Sequence, residues 1–504
     1  MGNQLPKARR PTGQEQPAAQ GSPAQADAAH GEALEDRGDD LPQRRYRHDL
    51  APEGASFEER CSLAAGAIAD AEVLLLTTGA GFSCGNGLLV YRDVASVPAY
   101  REKGLKYKDI CNPAWVDEDR APGHGPAQDP AFFYGFWGAC FNDHRSARPN
   151  EGYAIVAKWR RILFSGTAMA KSIRQQVKSK DVNEGHRHRR YDPYKCKSYA
   201  GAFFHFTSNI DAHAFDYFTA GEVRECHGNS ELWQCSESCS RKLWRAPPDL
   251  AFAVDARTLE ASDDPNYRHR KRSGASAAGQ PDGRLLLSGG AKSHRENFLA
   301  GWPTFEETKA ITELFWNYNR PMCPKCGLPA RPAVLMFSDL TWVDQTSQDR
   351  RYHSWLEALE AECQSRRQQP VRVAILEIGA GKSVPTVRMN SQSVACRLED
   401  LGAKVTVIRV NPANPFPDGI KGARLKQFLS IKAKGVETLQ AIDRAMAGTL
   451  DERAVQAMQE AGTEGPARQP DGLETAETAE AAHAEAENSP QDAAYDAQVS
   501  SDSD

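Results

Sequence analysis

The stretch VLLLTTGAGFSCGNG, residues 73–87, decides how the rest of the chain is read. Val73–Thr77 is a continuous apolar run with no alternation, the mark of a strand buried on both faces. A glycine-rich turn follows it at once. Three further runs share this character: Phe203–Thr207, Val373–Ile378 and Val405–Val410, with Leu335–Phe337 as a short fifth. Helical patterns lie between them, at Phe57–Ala69, Thr308–Tyr318, Tyr352–Cys363 and Ser391–Leu401. Strands alternating with helices imply an α/β fold built on a doubly wound parallel, Rossmann-like sheet. Ligands in such sheets sit beyond the carboxyl ends of the strands. The glycine turn follows Val73–Thr77, Asn-Ile-Asp follows Phe203–Thr207, and Gly-Ala-Gly-Lys-Ser follows Val373–Ile378. Three motifs thus fall on one rim.

The ends of this 504-residue chain read differently. Residues 1–55 are rich in Ala, Gln, Gly, Pro and charge. Residues 451–504 hold fourteen Asp/Glu against two Arg. Neither segment has enough apolar surface to offset its chain entropy, so disordered termini are expected. The folded part is expected over 56–450. Its Rossmann-like portion covers about 56–165, 200–232 and 335–450, and an inserted small zinc-binding module about 233–334. Two stretches read as irregular and mostly disordered: a basic insertion, 166–198, and a long one inside the zinc module, 245–305. The basic runs HRHRRYDPYKCK (186–197) and YRHRKRS (267–273) lack a periodic basic face with interleaved aromatics, so they read as solvated loops and not as a nucleic-acid surface. Net charge is −5. No run approaches about 18 apolar residues, so no membrane span is expected. The reading is a soluble intracellular protein, cytoplasmic or nuclear.

Gly79-Ala80-Gly81 lets the backbone come close to a pyrophosphate, with free N–H groups of the next helix behind it. The spacing Gly79, Gly81, Gly85 is not the G-x-G-x-x-G of dehydrogenases. Tyr91-Arg92 adds a ring and a cation that could cover and hold a cofactor. Gly379-Ala380-Gly381-Lys382-Ser383 looks like the end of a P-loop, but Leu376 stands where its first glycine belongs. A strand-to-helix turn packed against a nucleotide fits better. Cys235-x3-Cys239 and Cys323-x2-Cys326 make a four-thiolate set. Four soft ligands in two knuckles suit structural zinc, and a closed set leaves no open position for catalysis. His227, in Glu225-Cys226-His227-Gly228-Asn229, has a pKa range suited to general-base work. Asn209 and Asp211 alternate on one turn, so both can face one ligand.

In order along the chain, these residues resemble the motifs of the sirtuin family of NAD-dependent protein deacylases. GAGFSCGNGLLVYRD is similar to the family's first NAD motif, TSNIDAH to TQNIDGLH, and ECHGN to EXHGS. CPKCGLPARPAVLMFSD is similar to CPXCGXXXRPXVVXFGE. EIGAGKSVP stands where the family has GTSLXVXP, and RVNP where it has INXE. The match runs from about Val73 to Ala447 and looks closest to a divergent, bacterial-type branch.

The resemblance implies that NAD⁺ is held by Gly79, Ala80, Gly81, Ser83, Tyr91, Arg92, Ser208, Asn209, Ile210, Asp211, Gly379, Ala380, Gly381 and Asn411. It implies that Asp211 holds the nicotinamide carboxamide and that Asn209 positions a ribose hydroxyl and a water. His227 acts as base on a ribose hydroxyl, Tyr91 closes over the nicotinamide site, and Cys235, Cys239, Cys323 and Cys326 hold one structural Zn²⁺. The partner it implies is an acyl-lysine protein or peptide. The chain departs from the family at Leu89-Val90, where Pro-Asp or Pro-Thr is usual. It also departs at Ser208 for Gln, Ala212 for Gly, and Ala380-Gly381 for Thr-Ser. Two other readings remain on the same fold: a mono-ADP-ribosyltransferase or NAD hydrolase, and a non-catalytic NAD-binding scaffold.

Overall fold

The computed structural model describes residues 49–83, 97–102, 104–116, 129–188, 198–262, 294–317, 319–366 and 368–463. The chain divides into a unit up to Ala454 and a second from Val455. Of the second unit, the described residues are the last turns of a helix, Ala447–Thr463.

Six strands form one parallel sheet: β1 Val73–Thr78, β2 Phe203–Thr207, β3 Val223–Glu225, β7 Arg372–Ile378, β8 Lys404–Val410 and β9 Phe428–Ile431. Their order is β3-β2-β1-β7-β8-β9. The chain starts in the middle, winds one way through β2 and β3, then returns to β1 and winds the other way. That is doubly wound topology, and β1/β7 is its switch point. Every residue of β1, β2, β3 and β9 is buried, which is why these runs show no polar alternation. The helices pack in two groups. One comprises α1 Phe57–Asp70, α4 Glu151–Trp159 and α9 Gly435–Ala445. The other comprises α5 Ala168–His188, α7 Thr346–Ser365 and α8 Thr386–Asp400. Ser56 and Glu59 close a reciprocal capping box at the start of α1.

A second core stands apart from the sheet. It gathers Tyr100, Trp115, Phe132, Phe136 and Trp137 with Trp233, Trp244 and Phe252. Helix α3, Pro130–Ser146, supplies many of these rings, started by Asp129 as N-cap and Pro130 in the first turn. The core rests on a small antiparallel sheet, β5-β4-β6, made of Trp244–Arg245, Gly228–Cys235 and Ala330–Val334.

Several expectations change here. Residues 97–116 and 130–141, assigned to the Rossmann-like portion, belong partly to this second core. Leu335–Phe337 is not a strand. The strand is β6, and Leu335 N–H donates to the His227 carbonyl instead. Thr308–Tyr318 is not a helix. A single turn, Phe305–Thr308, is capped by Thr304, and Ile311 and Phe315 are exposed, so their spacing marked no buried face; Tyr318 lies outside the described residues. Much of the stretch 166–198, read as irregular, is helix α5: Ala170, Ile173 and Val177 bury one narrow stripe, and Lys180 pairs with Glu357 of α7. Within 245–305, Phe252, Ala261, Phe298 and Trp302 are buried, and 263–293 lies outside the described residues. Residues 49–55 and 451–463, assigned to the tails, lie among the described residues. Asp49 bridges to Phe428, Ala51 is buried, and helix continues to Thr463 through Ala-, Glu- and Gln-rich sequence. Residues 1–48 and 464–504 lie outside the described residues. Among the described residues, no helix is long and apolar enough to cross a membrane.

At the switch point the turns after β1 and β7 touch backbone to backbone. Gly81 N–H donates to Gly379 O at 3.0 Å, and Gly79 N–H to Ile378 O at 3.0 Å. A Cβ on Gly379, which sits at φ +67°, would lie 2.3 Å from Phe82 N, whereas a Cβ on Gly381 would meet nothing within 4 Å. Gly379→Ala is therefore expected to cost at least about 2 kcal/mol of stability, from backbone strain and overpacking together. Gly381→Ala is expected to change stability by less than about 0.5 kcal/mol. Urea denaturation of the two variants checks the contrast.

Candidate active site

Five chain segments reach the carboxyl rim of the sheet. They are 79–83 after β1, 208–211 after β2, 226–227 after β3, 379–381 after β7 and Asn411 after β8. A parallel sheet with staggered strand ends brings these distant residues together, and no local sequence signal does.

Three side chains form a buried chain on this rim. Ser83 Oγ donates to Asp211 Oδ2 at 2.6 Å and accepts from Asn209 Nδ2 at 2.9 Å. Ser83 stands on a short helical turn, Ala80–Ser83, directly after the glycine turn. Asp211 Oδ1 also caps the next turn, accepting from His213 N–H at 3.0 Å. Burial raises the Asp211 pKa, but the His213 and His144 rings and the Ser83 hydroxyl outweigh it, holding the carboxyl below its ordinary range. Asp211 is thus an anion at neutral pH. Asn209 Oδ1 is buried and accepts no hydrogen bond among the described residues. An unmet buried acceptor costs about 1–3 kcal/mol, and a ligand donor at that point would recover it. Ala212, where the resembled motif has glycine, takes φ +62°, a left-handed conformation costing about 1 kcal/mol for a residue with a Cβ.

His227 follows β3 and is half-buried. Its Nε2 lies 3.3 Å from Thr386 Oγ1, at the start of α8. Desolvation, with the Arg224 cation adding to it, pushes its pKa down to about 4. The ring is therefore neutral at pH 7 and able to accept a proton. Beside it Glu225 is buried and pushed up to about 8 by desolvation, although the Asn229 and Gln348 amides donate to it. Glu225 is thus mostly uncharged at neutral pH.

The rim turn 379–381 is fixed from behind. Ala380 O accepts from Asn411 Nδ2 at 2.8 Å and from Arg388 Nη1 at 3.2 Å. Asn411 Oδ1 accepts from Ala413 and Asn414 N–H, so its amide is engaged in holding the turn. Ile210 O accepts from Ser230, and Ser208 N–H donates to Thr78 O. Of the expected nucleotide contacts, Gly79, Ala80, Gly81, Ser83, Ser208, Asn209, Ile210, Asp211, Gly379, Ala380, Gly381 and Asn411 all lie on or beside this rim. Tyr91 and Arg92, with Leu89-Val90, lie outside the described residues. Sequence reasoning gave Glu225 no role although it opens the ECHGN motif, and it missed Thr386 and Arg388, which lie in no motif. It also missed Tyr153, stacked 5.8 Å from Tyr217 beneath the rim.

The metal-type site stands away from this rim. The sulfurs of Cys235, Cys239, Cys323 and Cys326 all lie within 4.8 Å of one another. Cys235 Sγ is 3.6 Å from Cys326 Sγ, and Cys239 Sγ is 3.6 Å from Cys323 Sγ. Tetrahedral zinc with Zn–S of about 2.3 Å needs sulfurs about 3.8 Å apart, close to these two distances, so the donor set suits zinc. Gly327, at φ +75°, turns the second knuckle, its N–H donating to Cys323 O at 3.0 Å. The first knuckle carries Ser238 at φ +48°. Purified protein is expected to contain about one zinc per chain by elemental analysis, and Cys323→Ser to lose it together with several °C of melting temperature. A variant that keeps both metal and melting temperature would remove the tetrathiolate assignment.

No family model matches the chain, and no curated protein matches it. Solved structures to which it is similar include a complex of a Sir2 homologue with NAD, at 14% identity, covering 77% of this chain and 94% of that one with TM-score 0.38. A triple mutant of Sir2 homologues in complex with 2′-O-acetyl ADP ribose is similar at 14% identity, 77% and 97% coverage and TM-score 0.38. Sir2Tm bound to a propionylated peptide is similar at 13% identity, 77% and 98% coverage and TM-score 0.35. The doubly wound sheet and the four-cysteine module are the architecture that the sequence resemblance implies.

Proposed function

We propose that the chain is an NAD-dependent protein-lysine deacylase that moves the acyl group of an acyl-lysine side chain to ADP-ribose and releases nicotinamide. The observation that carries this reading is the buried Asn209–Ser83–Asp211 chain with its unmet Asn209 oxygen, on the same rim as a neutral His227. A site that only binds a nucleotide needs no base.

Bound NAD⁺ would supply an electrophilic ribose carbon with nicotinamide as its leaving group. The residues divide the remaining work. Asp211, an anion with the His213 ring 3.7 Å from its Oδ2, is suited to accept the N–H of a carboxamide. Asn209 has one amide face committed to Ser83 and leaves Oδ1 to orient a hydroxyl. The acyl oxygen would displace nicotinamide at the ribose carbon, and the neutral imidazole of His227 would then take the proton of a ribose hydroxyl, so that this hydroxyl attacks the acyl carbon. The glycine turns at 79–81 and 379–381 let the dinucleotide lie close against the backbone. The four cysteines would hold structural zinc outside the reaction. Loss of the lysine amine and addition of one water would complete the transfer, giving the free lysine, nicotinamide and O-acyl-ADP-ribose.

Nicotinamide release from NAD⁺, measured with and without an acetyl-lysine peptide, tests the reading. Release is expected to need the peptide and to fall at least about 100-fold in His227→Ala. Release without peptide would indicate ADP-ribosyl transfer or NAD hydrolysis on the same site. Bound NAD⁺ with no release on any acyl peptide would indicate a scaffold.

The pH profile gives a second test. A base must be neutral, so activity is lost as pH falls through the folded-state pKa. With that value near 4, kcat/KM is expected to stay level from pH 7.5 down to about 5.5 on its acid side. An acid limb centred near 6.5 would mean that His227 is solvated in the working enzyme, or that another group is the base.

A further inference from the structure

Arg388 lies on the first turn of α8 and is 1% exposed. Its guanidinium reaches four acceptors. Nη1 donates to Ala380 O at 3.2 Å and to Asn414 O at 2.9 Å, Nη2 to Phe416 O at 2.9 Å, and Nε to Asp418 Oδ2 at 2.5 Å. Asp418 is shared with Arg409, which pairs in turn with Glu377 at 2.6 Å. Two cations and two carboxylates therefore alternate, with Arg388, Arg409 and Glu377 buried and Asp418 half-buried. None of these charges is left over to attract a ligand, and neither the zinc site nor the proton chemistry uses them.

We infer that Arg388 is a positioning residue for nucleotide binding: it locks the Ala380–Gly381 peptide and the loop 411–418 so that the Gly381 N–H faces the rim. The inference rests on the nucleotide reading of the rim proposed above.

The geometry is that of a planar trans peptide. The carbonyl of Ala380 and the N–H of Gly381 share one plane and point in opposite directions. No cis peptide occurs among the described residues. Arg388 and Asn411 together occupy the Ala380 oxygen from the protein side. That turns the Gly381 N–H outward, and Gly381 is exposed. Ala380 and Gly381 carry no side-chain hydroxyl where the resembled motif has Thr-Ser. An oriented backbone donor is then what the turn offers to a phosphate or ribose oxygen. The same guanidinium ties down the carbonyls of Asn414 and Phe416, so one side chain fixes both the turn after β7 and the loop after β8. A planar fork with five donors makes these contacts at once, and a lysine ammonium cannot.

The test uses full-length protein and ADP-ribose as probe, with calorimetric titration of wild type and Arg388→Lys. Amide hydrogen exchange over 377–383 and 411–419 and thermal melts accompany it. Arg388→Lys is expected to weaken ADP-ribose about tenfold or more, the loss of one or two charge-assisted contacts. Exchange is expected to quicken in those two segments and to stay unchanged in the zinc module. In turnover, KM for NAD⁺ should rise while kcat and KM for the acyl peptide stay within about twofold. Unchanged ADP-ribose affinity, whether or not the melting temperature falls, would overturn the inference and leave Arg388 a purely structural residue. Should Arg388→Lys fail to fold, Asp418→Asn loosens the same guanidinium while keeping it, and unchanged affinity there would overturn the inference equally. Wild type that binds neither ADP-ribose nor NAD⁺ would overturn the nucleotide reading itself, a result distinguishable from equal binding by both proteins.

Discussion

The backbone contact between two glycine turns, Gly79–Gly81 after β1 and Gly379–Gly381 after β7, is the constraint on which the rest of the site depends. Adjacent parallel strands lie about 4.8 Å apart, which leaves no room for two side chains where their turns meet. A Cβ on Gly79 would lie 2.8 Å from Ala380 Cα, and one on Gly81 2.8 Å from Gly379 Cα. Because both turns are bare, they close against each other and the segments behind them stay in register. Ser83 then arrives over Asp211 and Asn209, which descend from β2 next door. The position of these polar groups is thus a consequence of three missing side chains, those of Gly79, Gly81 and Gly379.

Burial on this scale places polar groups where water cannot serve them, and the protein meets that cost in two ways. Where charge is kept, it is paired and hydrogen-bonded, as in Arg409–Glu377, Arg224–Asp344 and Arg331–Asp339. Such pairs offset desolvation only with good geometry, so their contribution is more to specificity of arrangement than to net stability. Where charge is not paired, the group is pushed to its neutral form. His205, His144 and His227 fall to about 3, 4 and 4, and Glu225 rises to about 8. A neutral imidazole on the rim is therefore a product of the same desolvation that stabilises the sheet.

The four-cysteine module does more than close a loop. Ser238, between Cys235 and Cys239, donates to Thr341 O, and Gln234 Nε2 donates to the same oxygen at 2.8 Å. Arg331, on β6, holds Asp339 at 2.7 Å. The knuckle thereby sets the course of residues 338–343, where Leu340 is 96% exposed. Helix α6, His294–Ala300, acts from the other side: Arg295 joins Asp216 to Glu231, and Phe298 stacks on Phe215 at 3.8 Å. The segment after Asp211 is clamped by residues that lie some eighty positions away in sequence.

What the sequence determined by itself was local and periodic. Continuous apolar runs marked four of the six strands of the main sheet, because strands buried on both faces admit few other residues. Glycine turns, the Asn-Ile-Asp turn and paired cysteines were legible because each needs particular residue types at fixed spacing. Strands β3 and β9 were too short to stand out, at three and four residues. Helix α5 was hidden because its buried stripe is narrow and its charges find partners only on α7. Tertiary structure alone decided which distant groups meet. That Thr386 faces His227, that Arg388 holds Ala380, and that Glu225 is uncharged follow from parallel strands converging on one rim and shutting out water. No residue type or spacing encodes those contacts, since each joins side chains by through-space packing and each depends on a local dielectric that the folded chain creates.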